Sequence, residues 1–137
     1  MVLDFPDYYG GMARVAISGY QPGIITMTAS GEATLNAGET ALFVLGYPSE
    51  DETWKFSRLT VYSQTDSSAL LEVSLAWWDG SSWTKVYNTR GYGTVHLWVP
   101  DGLRYPYGGG LGFYVHNPNN ISLDITVSIA WVVETVI

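Results

Sequence analysis

The stretch richest in chemistry-bearing side chains is Trp77-Trp78-Asp79-Gly80-Ser81-Ser82-Trp83, three indoles around a turn. Asp79-Gly80 between two alternating runs predicts a β-hairpin. Setting Trp78 opposite Trp83 also places Ala76 against Lys85 and Ser74 against Tyr87 on one face, leaving Leu75, Trp77 and Val86 for the core face. Trp78, Trp83 and Tyr87 then make an outward aromatic platform. Flat rings of this kind stack on the C–H face of a sugar or anchor a protein contact. As a plain cross-strand pair they stabilise the hairpin by about 0.5–1 kcal/mol.

Other reactive residue types are sparse. The only histidines, His96 and His116, each lie opposite the apolar set of their segment. Were those segments paired as a hairpin, the imidazoles could face each other, with Asp124 or Glu72 near. The spacing matches no metal motif, and no metal is expected. Acidic residues concentrate in turns (Glu50-Asp51-Glu52, Asp66, Asp79, Asp101), and no pair has a spacing that forces two carboxyl groups together. There is no Gly-x-Ser-x-Gly elbow, phosphate loop or dinucleotide fingerprint. The sequence therefore predicts no enzyme, no catalytic residue and no cofactor.

These positions ride on strands. No window of ten or more residues keeps a 3.6-residue period, whereas short alternating runs recur between turn signals. The expected strands are Met12–Ser18, Ile24–Ala29, Thr40–Gly46, Trp54–Thr65, Ala69–Trp78, Ser82–Asn88, Thr94–Val99, Gly112–His116 and Ile121–Val133. Eight or nine strands without substantial helix predict an all-β fold: a two-sheet antiparallel β-sandwich, jelly-roll-like, with residues 1–137 as one domain. Within Trp54–Thr65 the apolar parity slips from Trp54 and Phe56 to Leu59 and Val61. A bulge near Ser57-Arg58 follows, with the strand expected to bend there towards the other sheet.

Two regions suggest partners. After Trp131 the alternation gives way to Val132-Val133-Glu134-Thr135-Val136-Ile137, with apolar residues on both faces. Either a loop of the same chain covers them or a second copy does; the second reading, favoured by the outward aromatics, makes Trp131, Val132, Val136 and Ile137 a candidate interface. The loops Asp7–Gly11 and Pro100–Gly112 are glycine-rich, and Tyr105 and Tyr107 stand as candidates in the second, longer one.

Composition narrows the classes. With 13 acidic residues against six Lys and Arg, the formal net charge is −7. There is no basic stripe for phosphate neutralisation, so neither nucleic acid nor an anionic membrane is an expected partner. There is no cysteine, hence no disulfide or thiolate site. Met1-Val2-Leu3-Asp4 lacks the start of a signal peptide. Six Trp and ten Tyr against four Phe favour half-buried recognition surfaces over dry core.

The cysteine-free, Trp/Tyr-rich alternation, including Trp77-Trp78-Asp79-Gly80 and Ile121–Val133, resembles the small uncharacterised all-β proteins encoded by spherical viruses of hyperthermophilic archaea. The resemblance spans essentially the whole chain and carries over no functional residue. The charged content of 14% departs from the usual hyperthermophile pattern. The resemblance implies a viral protein of the virion or host cytoplasm. The expectation is a non-enzymatic structural or interaction protein that forms homo-oligomers. The alternative is a carbohydrate-binding β-sandwich using Trp78, Trp83 and Tyr87 on a glycan.

Overall fold

The alternation of the C-terminal run makes it the centre of a sheet. The computed structural model describes residues 2–4, 18–21, 24–99 and 103–135. Among them are eleven strands and no helix: β1 (Val2–Asp4), β2 (Ser18–Gln21), β3 (Ile24–Leu35), β4 (Thr40–Gly46), β5 (Glu52–Ser63), β6 (Leu70–Trp78), β7 (Trp83–Tyr92), β8 (Thr94–Trp98), β9 (Arg104–Pro106), β10 (Gly110–His116) and β11 (Leu123–Thr135). On β11, Leu123, Ile125, Val127, Ile129, Trp131 and Val133 are buried, while Asp124 and Ser128 are exposed. Ile121, expected to begin this strand, instead sits exposed in the preceding turn.

Two sheets face each other. Sheet A has the order β1-β4-β10-β6-β7, and sheet B the order β2-β3-β11-β5-β8, with β9 also pairing with β5. The eight longer strands supply β4-β10-β6-β7 to one sheet and β3-β11-β5-β8 to the other, which is a jelly-roll-like order. All described pairings are antiparallel except that of β1 with β4. The count exceeds the expected nine because β1, β2 and β9 add three or four residues each at sheet margins. Of the expected strand Met12–Ser18, residues 12–17 lie outside the described residues, as does the Asp7–Gly11 loop. Inward side chains of both sheets form one core, in which Phe43 and Phe113 stack with centroids 4.7 Å apart.

The parity slip in β5 is a bulge at Ser57: Ala130 pairs with Arg58, and Trp131 with Phe56. The strand does not cross to the other sheet there. What changes at the bulge is its outer neighbour, from β8 at Arg58–Tyr62 to β9 at Thr53–Lys55. β3 runs six residues beyond its expected end, because β11 pairs along its whole length and Ala29, Gly31 and Leu35 turn inward. The step from sheet A to sheet B between β7 and β8 is made by Gly93 alone.

Candidate functional site

The predicted hairpin forms, and its turn has a specific cause. The Asp79 carboxylate accepts hydrogen bonds from the backbone N–H groups of Ser81 and Ser82, each at 2.9 Å, and from the Ser81 hydroxyl at 3.0 Å. Donation from Ser82 and then Ser81 lowers the Asp79 pKa below its ordinary value. Trp78 pairs with Trp83, and Ala76 with Lys85, as the alternation predicts. Further along the register shifts: Leu75 faces Val86, but Ser74 faces Asn88 rather than Tyr87. Tyr87 is the extra residue of a bulge, with φ at 54°.

The platform consequently has a different third member. The Trp78 and Trp83 ring centroids are 5.6 Å apart, and Tyr47, which follows β4, lies 6.5 Å from Trp78 and 6.2 Å from Trp83. Tyr87 is exposed and makes no ring contact among the described residues. Two glycines of β10 let the rings settle against the sheet. A Cβ on Gly110 would meet the Tyr47 ring at 2.6 Å, and one on Gly112 would meet Trp83 at 3.2 Å. Tyr47 was not legible as a platform residue, since it is local to neither hairpin strand.

Strand pairing extends this outer face of sheet A into a grid. Tyr114 stands between Leu42 and Ser74, and Ser74 pairs onward with Asn88. One row further from the rings, His116 stands between Thr40 and Glu72, and Glu72 pairs with Arg90. Leu42, Val44 and Ala76 form a small apolar floor against Trp83 and Tyr114. Beside it lies a depression of about 430 Å³ lined by Glu72 and Ser74 of β6, Lys85, Asn88, Thr89 and Arg90 of β7, and Tyr114 and His116 of β10. Thr40 Oγ1 is 2.8 Å from His116 Nδ1, and Glu72 Oε1 is 3.7 Å from His116 Nε2. The Ser74 hydroxyl donates to Asn88 Oδ1, and Lys85 Nζ sits 5.1 Å from the Tyr114 ring centroid.

The remaining sequence candidates are dispersed. His96 and His116 do not form a hairpin, because β8 belongs to sheet B and β10 to sheet A. His96 meets Thr60 at 3.1 Å, and Asp124 accepts from the Thr34 hydroxyl at 2.6 Å. Among the described residues no three His, Asp or Glu side chains are grouped to hold a metal ion. Trp131, expected at an interface, is buried in the chain's own core, where its ring lies 5.7 Å from that of Trp54. Inward parity and the closure of the sandwich over it explain the difference. Val132 is half-buried on the outer face of sheet B, while Val136 and Ile137 lie outside the described residues.

The two loop tyrosines also part company. Tyr107 is exposed, whereas Tyr105 is buried in β9 opposite Trp54. Trp77, read as core, lies at the mouth of the sandwich and is 41% exposed. With Val86, Leu103, Arg104 and Tyr105 it lines a cleft of about 170 Å³. Among the described residues the buried Tyr105 hydroxyl has no hydrogen-bond partner. Burial alone raises its pKa well above the ordinary value of 10.0.

Tyr105→Phe is therefore expected to raise stability at neutral pH by about 1 kcal/mol, since an unpaired buried hydroxyl is removed. Above pH ~10 the unfolded chain loses the phenolic proton that the folded chain still holds, so stability falls as pH rises. The Phe variant should lack that part of the alkaline decline. Urea denaturation at neutral pH and above pH ~10 measures both effects. A less stable variant with an unchanged alkaline slope would contradict this account.

No protein-family model and no curated protein matches the chain. Several solved structures share its fold. A chain in the structure of Sulfolobus Turreted Icosahedral Virus aligns with a TM-score of 0.53 at 12% identity, covering 82% of this chain and 30% of that one. This chain thus spans less than a third of that viral protein. A chain from Bacillus endospore appendages, described as disulfide-linked pili, aligns with a TM-score of 0.50 at 10% identity, covering 89% and 99% of the two chains. At such identities the likeness is one of fold.

Proposed function

We propose that this chain is a non-enzymatic structural and interaction protein that self-associates within a larger assembly, a virus particle or its surroundings in the host cytoplasm. The observation that carries the reading is the outer face of sheet A, where Tyr47, Trp78 and Trp83 cluster and Tyr47 remains 53% exposed. Rings preorganised on a rigid sheet lose little conformational entropy on contact and are the side chains that most often dominate protein interfaces. The net charge of −7 with only six Lys and Arg fits contact with protein better than contact with a densely charged polymer such as nucleic acid. Support by analogy comes from the two folds above, one from a virus particle and one from a pilus.

Light scattering over a protein dilution series tests this. Self-association should strengthen with concentration, and Trp78→Ala should weaken it at least tenfold, because a central aromatic anchor contributes about 2 kcal/mol or more. Thermal unfolding of the variant separates a lost contact from a lost fold. A strictly monomeric wild type at the highest attainable concentration would refute the proposal.

The second reading, a carbohydrate-binding module, is favoured by one specific observation. The ring cluster adjoins a depression lined by hydroxyl, amide and charged groups, the mixture that pairs with a polyhydroxylated ring. A glycan array that retains no wild-type protein would exclude it.

A further inference from the structure

The depression on sheet A gathers cationic and hydrogen-bonding side chains in an acidic protein. The protein carries a net charge of −7 and only six Lys and Arg, yet Lys85 and Arg90 both line this one site, against the single carboxylate of Glu72. Among the described residues the ion pairs are Arg104–Glu134 and His116–Glu72; Lys85 and Arg90 are in neither, although Arg90 stands opposite Glu72 across the β6–β7 pairing. The Ser74 hydroxyl is committed to Asn88 Oδ1, which fixes the amide so that its –NH₂ group remains available as a donor. Ser74 is itself only 7% exposed, so this pair is part of the built floor of the site. Lys85 is held over the Tyr114 ring, which restrains its ammonium group at the edge of the depression.

From this arrangement we infer that the depression binds a carboxylated saccharide, a sugar ring bearing an acid group of the uronic-acid type. Donors without acceptors (Lys85, Arg90, Asn88) call for an acceptor-rich anion. Glu72 repels a doubly charged anion such as phosphate or sulfate more than a singly charged carboxylate, and its oxygens accept from a ligand that also presents hydroxyl donors. A sugar acid supplies both in one ring. The volume of about 430 Å³ lies within the ~300–1,000 Å³ range of small-molecule sites. The rings of Trp83 and Trp78 continue the same face beyond Lys85 and offer apolar surface to the next sugar along a chain. This inference deepens the glycan reading and is independent of self-association.

The test titrates the 137-residue chain, by calorimetry and by amide chemical shifts, with three probes: a glucuronate-containing oligosaccharide, the same oligosaccharide with its carboxyl groups reduced to alcohols, and inorganic phosphate. The acidic oligosaccharide should bind at least tenfold more tightly than the reduced one, with shifts centred on Ser74, Asn88 and Tyr114. Lys85→Gln and Arg90→Gln should each weaken it about tenfold, as expected for loss of a charge-assisted hydrogen bond, with unchanged unfolding temperature. Equal affinity for the acidic and reduced oligosaccharides would overturn the inference while sparing the glycan reading. Binding of neither would remove both. Phosphate binding as tightly as the acidic sugar would make this a simple anion site and overturn the inference. The wild-type comparisons decide the matter even if a variant folds poorly.

Discussion

Replacing Gly93 with alanine is expected to lower stability by about 3 kcal/mol or more, enough to leave much of a marginally stable protein unfolded. Gly93 has φ at 76°, where a side chain is strained, and an added Cβ would lie 2.2 Å from the Ser67 carbonyl oxygen. That obstacle is backbone, so no rotamer change relieves it. Gly93 also donates to the Ala69 carbonyl and accepts from the Ser63 N–H, both at 2.8 Å. Moving it would break the stitching of β5, β6 and the sheet-to-sheet step at once. Gly38→Ala is the internal control: its φ is 74°, but nothing lies within 4 Å of the added Cβ. It should lose only the conformational cost of about 1 kcal/mol. Denaturant midpoints of the two variants measure the difference, and near-equal losses would show that the clash is relieved elsewhere.

Asn117→Ala is expected to cost about 3 kcal/mol by the same measurement. Asn117 is fully buried at the end of β10. Its side-chain amide donates to the carbonyls of Leu35 at 3.2 Å, Asn36 at 3.1 Å and Ile121 at 2.8 Å. Its side-chain oxygen accepts from the Asn119 backbone N–H at 3.0 Å and from the Asn119 amide at 2.8 Å. Asn119 in turn holds both the N–H and the carbonyl of Leu70. Two asparagines thus join the β3–β4 loop, the β10–β11 loop and the start of β6. Alanine removes a donor from the buried Leu35 carbonyl and from the part-buried carbonyls of Asn36 and Ile121, of which Asn36 keeps the Glu39 N–H. Asn117→Asp should be worse still, since it turns a carboxylate oxygen towards three carbonyls. A variant that loses less than ~1 kcal/mol would show that water replaces the amide.

Both residues lie where the sequence shows only punctuation. Asn117-Pro118-Asn119-Asn120 reads as a turn from composition, but that one asparagine is the buried hub depends on which loops meet there. Gly93 gives even less local sign, because what makes glycine necessary is Ser67, which the fold brings against it from 26 positions earlier. The proposed sites show the same division. Trp78 opposite Trp83 follows from a turn a few residues long, whereas Tyr47 joins them only because β4 and β6 flank β10. The depression depends on that same β10–β6 pairing, which sets Tyr114 beside Ser74 and His116 beside Glu72 from about 40 residues apart.

What the sequence alone determined is what depends on neighbours in the chain. A period of two requires strands with one dry face, a change of parity at Ser57 requires a bulge, and Asp79-Gly80 with two serines requires a hairpin. Tertiary structure alone decided everything that depends on which strand lies next to which. It separated His96 from His116 into different sheets, buried Trp131 in the core rather than at an interface, and removed Tyr87 from the platform through a bulge opposite β6. Alternation gives each side chain a face but leaves the facing partner unstated. That partner is chosen by the closing of two sheets over a common core, a global packing problem that no local spacing encodes.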